Sequence, residues 1–160
     1  MTSRNEVSAL HAAVMRGSVV EVQEAINLGE DIDTLDWAGR TPLFGAVIDG
    51  NCAIVSELIS HGANVNTHDK NLQTPLHFAA QEYRVEIAQL LLKHGAQVDA
   101  RDSHGNTPLA KAVFGSRGRG EMITVLLAHA ANKNLKNKHG TSPSDLAASI
   151  GNYDVKQFLE

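Results

Sequence analysis

The sequence predicts an all-α solenoid: helix-turn-helix units joined by projecting β-turn finger loops. Three observations carry this. Thr41-Pro42-Leu43, Thr74-Pro75-Leu76 and Thr107-Pro108-Leu109 recur every 33 residues, with Ser8-Ala9-Leu10 standing 33 before the first and Ser142-Pro143 following after 35. The glycine closing each second helix repeats as Gly29, Gly62 and Gly95, with Ala130 in the fourth place, at steps of 33, 33 and 35. The third series, Gly17, Gly50, Tyr83, Gly118 and Gly151, confines the two-residue excess to the stretch between Thr107 and Gly118. A fixed period of this length marks a repeat architecture, in which each unit hides its apolar flank only by stacking on the next.

Each element follows from its residues. Asp36, Asp69, Asp102 and Asn137 precede the helix-opening residue by five and lead into tight turns with Gly39, Gly105 and Gly140. Thr then caps the first helix, because its hydroxyl takes an orphan backbone N–H, and Pro fits the first helical position, where no N–H is required. The spacing predicts a short helix over Pro75 to Glu82, packing through Leu76, Ala79 and Ala80. A second helix over Val85 to Lys93 packs through Val85, Ala88, Leu91 and Leu92, and His94-Gly95-Ala96 ends it. The units read as 1–35 (an N-terminal cap), 36–68, 69–101, 102–136 and 137–160 (a C-terminal cap), one domain over 1–160. The first pair offers Glu21, Gln23, Glu24 and Asn27 for capping. Leu72 and Tyr83 stand where glycine is expected, leaving the third unit's turns the least defined, and Ser144 replaces the core leucine of the fifth.

Thr74-Pro75-Leu76-His77-Phe78-Ala79, with Ser8-Ala9-Leu10-His11-Ala12-Ala13 in weaker form, resembles the Thr-Pro-Leu-His-x-Ala signature of the ankyrin repeat family. The resemblance spans nearly the whole chain as five units. It implies an L-shaped stack whose concave face is made by the fingers and first helices, and a non-catalytic, protein-binding role. It also implies that His11 and His77 hydrogen-bond backbone across a unit boundary. Family contact positions, carried over residue by residue, are Trp37, Ala38, Arg40, Ile48 and Asp49 in the second unit and Lys70, Asn71, Gln73, Gln81 and Glu82 in the third. The fourth unit contributes Ser103, His104, Asn106 and Phe114, and the fifth Lys138, His139 and Thr141. Trp37, the single Trp, is the leading candidate, since Trp is enriched among interface hot spots. Its ring either serves as an anchor or folds over Arg40 or a neighbouring finger. Ile48 and Phe114 are either exposed or packed under a neighbouring helix.

Other chemistry fares less well. Eight histidines follow the repeat, which sets equivalent positions about 8–10 Å apart, too far to share one zinc. Cys52 near a helix start could be a reactive thiol, but Val19 and Val85 occupy the same place, so a buried small apolar residue is expected. The insertion Gly115-Ser116-Arg117-Gly118-Arg119-Gly120 lacks the strand, glycine spacing and Lys-Ser/Thr of a phosphate loop. It reads first as an elongated loop between two helices, and alternatively as a mobile tip whose Arg117 and Arg119 clamp a carboxylate or phosphate on a partner. No nucleophile, metal or cofactor motif is visible, so the chain is read as a non-enzyme without cofactors.

Composition agrees. The chain has 160 residues, 42% hydrophobic and 20% charged, and only seven aromatics, which suits small helices packed through Ala, Val, Ile and Leu. No apolar run or leader is present, and a lone cysteine forms no internal disulfide, so a monomer in the cytoplasm, off the membrane, is expected. The net charge of -4 supplies no global attraction to nucleic acid. It is unevenly spread: residues 1–80 hold 4 basic and 10 acidic side chains, residues 81–160 hold 10 and 8. The expected function is a small adaptor or inhibitor gripping one protein partner, an immunity-type neutraliser of an enzyme or toxin being the concrete form. Taken as complete, the array leaves no room for an effector domain. The alternative is an anionic-ligand or nucleic-acid binder using Arg101, Arg117, Arg119 and the Lys133 to Lys138 cluster.

Overall fold

The computed structural model describes residues 7–151 and 154–160. Among these it contains nine α-helices and no strand: α1 Ala9–Arg16, α2 Val19–Asn27, α3 Pro42–Asp49, α4 Cys52–Ser60, α5 Pro75–Gln81, α6 Val85–Lys93, α7 Pro108–Gly115, α8 Glu121–Ala128 and α9 Pro143–Ser149. A 3-10 turn, Lys156–Phe158, stands where a second helix of the fifth unit would be. The odd-numbered helices pack side by side as one row and the even-numbered, up to α8, as a second. None of these helices is long and apolar enough to cross a membrane.

The recurring leucine is the reason the inner row stacks. Leu10, Leu43, Leu76 and Leu109 are all fully buried, and in the outer row Leu58, Leu91 and Leu126 do the same work. Burying such side chains contributes about 1.5–3 kcal/mol each. In the fifth unit Ser144 cannot, and its hydroxyl donates instead to Lys133 O at 3.0 Å.

Helix starts follow the Pro-at-N1 rule in α3, α5, α7 and α9, but the caps differ in detail. Thr107 accepts from the Ala110 N–H as expected. At Thr74 the main partner is His77, whose Nδ1 takes both the Thr74 N–H (3.1 Å) and the Thr74 hydroxyl (2.9 Å). Asp145 returns the same bonds to Ser142. Thr41 has Phe44 in that place, which offers no polar group, and its buried hydroxyl finds no protein partner.

The third unit's turns keep their shape without glycine. Gly50 sits at φ +74 after α3, and Tyr83, its equivalent after α5, adopts φ +58. Leu72 in the finger and Ala130 after α8 are also left-handed, at +58 and +64. The stacking of neighbouring units therefore imposes the turn geometry, and these residues bear a cost that glycine would not.

Four fingers share one device. The Oδ1 of Asp36, Asp69, Asp102 and Asn137 accepts two backbone N–H groups of its own turn, those two and four residues on, at 2.8–3.0 Å. Successive fingers are then tied by one backbone bond each: Lys70 N–H to Ala38 O, Ser103 N–H to Asn71 O and Lys138 N–H to His104 O.

Candidate functional site

The repeat register decides what the inner helices present. Ala12, Gly45, Phe78, Lys111 and Leu146 occupy one row; Met15, Ile48, Gln81, Phe114 and Ser149 the next. Met15 is 74% and Phe114 78% exposed, whereas Ile48 packs against the core. At the C-terminal end these rows open into a groove of about 850 Å³ between the fingers and helices α5, α7 and α9. Among the sequence-predicted residues it gathers Gln81, Glu82, Asn106 and Phe114 with Arg117, His139 and Thr141. Sequence reasoning missed Ala110, Lys111, Asn137 and Leu146, which also line it. Only the repeat register, followed four residues on from the helix-opening Thr107 and Ser142, could have found Lys111 and Leu146.

Lys111 is the one ionic residue of its row. Its Nζ pairs with Asp102 at 3.1 Å. Burial would raise the Asp102 carboxyl, but the Asn106 backbone N–H, Lys111 and the His104 N–H outweigh it and hold it below the ordinary carboxylate range. One unit earlier, Phe78 takes the row position, and the cation comes from the preceding finger: Arg40 reaches Asp69 at 3.5 Å and lies 4.8 Å over the Phe78 ring. Arg40 is thus turned inward and largely occupied within the protein.

Trp37 does not fold over Arg40; it stands 82% exposed, while its carbonyl receives the Lys70 ammonium. Trp37, Ala38, Asp49, Lys70, Asn71 and Gln73 lie outside the groove, towards the N-terminal end. Ser103, His104 and Lys138 sit on the fingers beside it, with His104 and Lys138 exposed.

Two histidines join units. His77, fully buried, donates from Nε2 to Asn106 O at 3.0 Å, and the partly buried His11 makes the same bond to Arg40 O at 3.1 Å. In His77 the Thr74 backbone N–H makes Nδ1 the acceptor, so with Nε2 donating its ring is the neutral Nε2–H tautomer. Burial pushes the His77 pKa below its ordinary value. His61, His94 and His129 instead cap helix C-termini. No cluster of three His, Cys, Asp or Glu able to hold a metal occurs among the described residues.

Two expectations are corrected. Cys52 is exposed, because as the first residue of α4 its side chain lies across Glu86. Partial burial, and then the Glu86 carboxylate, raise its pKa, opposite to an activated thiolate. The 115–120 insertion is not a free tip carrying two available arginines. The Tyr83 hydroxyl donates to Arg119 O, the Arg119 guanidinium lies 4.0 Å over the Tyr83 ring, and its Nε donates to Ser116 O. Burial lifts the Tyr83 pKa to about 12, against the opposing pull of Arg119.

A family model described as ankyrin repeats (3 copies) matches residues 1–69 and 46–137. No curated protein matches the chain.

Proposed function

Because this chain belongs to the ankyrin repeat family, whose repeats are generally protein-protein interaction modules and typically non-catalytic, we propose that it binds a protein partner through its concave face of fingers and inner helices. The observation that carries this is the groove over α5, α7 and α9, where an unpacked Phe114 stands among polar finger and helix groups. A large aromatic left in water beside convergent hydrogen-bonding groups is the composition of a binding hot spot. Trp37 gives the other end of the same face a second anchor. The partner is held by a rigid surface, as a small adaptor or inhibitor does, and neutralisation of an enzyme or toxin is the specific form proposed. Co-purification from native extract tests it. The partner captured by the wild type is lost with Trp37→Ala, Phe114→Ala; unchanged capture removes the concave site.

The anionic-ligand reading draws less support. Of the cations it needs, Arg119 covers Tyr83, Arg101 donates to Lys136 O and Lys133 to Leu159 O. Binding of single-stranded nucleic acid that falls steeply with salt would restore it.

A further inference from the structure

We infer that the 115–120 insertion is the wall of a carboxylate-binding subsite, in which Arg117 receives an acidic side chain of the partner and Phe114 the apolar side chain next to it. This rests on the concave-face reading and names the chemistry of the segment it takes.

The wall is built. Tyr83, in a place where other units have glycine, fills the space beneath the loop and holds it through Arg119. Ser116 is buried, and its carbonyl takes the Arg119 Nε–H at 3.1 Å. Gly115 leaves so little room that a Cβ there would come within 3.0 Å of Gln81 O, so the loop is pressed against the end of α5. This anchoring uses one arginine and presents the other. Arg117 is held at φ +50, lines the groove, and forms no ion pair among the described residues. A non-glycine residue kept in that region costs stability, which the surrounding contacts over-determine.

Charge and shape select the occupant. The groove floor carries Lys111, whose equivalents Ala12, Gly45, Phe78 and Leu146 are all uncharged. Asp102 beneath it is 4% exposed and its charge already answered, so Lys111 keeps further N–H donors for the groove. Lys111 and Arg117 therefore face a single lining carboxylate, Glu82. Beside the cations lie Phe114 and Leu146, an apolar surface useless to a polyphosphate chain. A protein segment pairing Glu or Asp with an apolar residue satisfies both halves, and the guanidinium fork suits a carboxylate.

The test titrates the isotopically labelled protein, by amide NMR, with a short capped peptide alternating Glu and Leu, its Lys-for-Glu and Ser-for-Leu counterparts, and a short single-stranded oligonucleotide. The Glu-Leu peptide is expected to give saturable shifts at 111–117 and 137–146, and the Lys-Leu and Glu-Ser peptides none. Arg117→Asn, which tolerates the left-handed backbone, and Phe114→Ala each weaken binding about tenfold, with unchanged thermal unfolding. Absent shifts with the Glu-Leu peptide, equal binding of the Lys-Leu peptide, indifference to Arg117→Asn, or a preference for the oligonucleotide each overturn the subsite. Saturable shifts confined to the second-unit finger overturn it too, yet leave the concave-face reading intact. That reading falls separately, through the partner-capture variants.

Discussion

His77 shows how a single side chain couples two units. Its ring takes the Thr74 N–H on one side and gives a proton to Asn106 O on the other, so the bonds require the neutral form. Protonation places a hydrogen on Nδ1, where an acceptor is needed. The folded pKa lies below the ordinary value of 6.5, so the unfolded chain binds the proton first and stability declines as pH falls through that value towards the folded one. Urea unfolding between pH 7 and pH 5 should show the decline, and His77→Ala should remove it while costing about 3 kcal/mol for the emptied space and the two groups left unpaired. Asp102 is a second such point. Asp102→Ala loses two backbone bonds and strands Lys111, at about 3 kcal/mol by thermal unfolding. Asp102→Asn keeps the accepting oxygen, as Asn137 does in its own finger, and should cost less than half as much.

At the scale of the element, the turns test whether stacking or local preference sets the backbone. Ala130 ends the α8 unit at φ +64 with an exposed methyl, so Ala130→Gly removes strain and no packing; it should raise stability by about 1 kcal/mol. Gly120 has the opposite logic. Its backbone is ordinary, φ -107, but a Cβ would come within 2.3 Å of the Phe158 ring. Gly120→Ala should therefore displace the 3-10 turn and cost about 1–2 kcal/mol, read as loss of Phe158 packing and a lower unfolding temperature. The contrast marks what the sequence makes legible. Thr-Pro-Leu, the finger Asp and the closing glycine carry their conformations locally, so helix starts and turns are readable from one chain. Gly120 and Phe158, or Tyr83 and Arg119, are partners 36 or more residues apart and outside the repeat pattern. Nothing local announces that Arg119 is occupied and Arg117 presented. Cys52 fails for the related reason that the first residue of a helix faces whatever the neighbouring unit supplies, here Glu86 rather than a core.

Across the whole molecule, order along the chain is order in space, because each inner helix packs on the outer helix of its own unit and on the inner helices before and after it. The acidic excess of residues 7–80 and the basic excess of 81–160 therefore lie towards opposite ends of the stack, and a partner with complementary poles would be oriented on approach. Among the described residues the two exposed aromatics, Trp37 and Phe114, are set on the finger and inner-helix side rather than on the outer row α2, α4, α6 and α8. Everything proposed here depends on that side being the working one. Hydrogen-deuterium exchange of the chain, free and in complex with its co-purified partner, examines it directly. The account predicts slowed exchange in the fingers 36–41, 69–74, 102–107 and 137–142 and in the inner helices, with the outer helices unchanged; protection confined to residues 19–27, 52–60, 85–93 and 121–128 would contradict it.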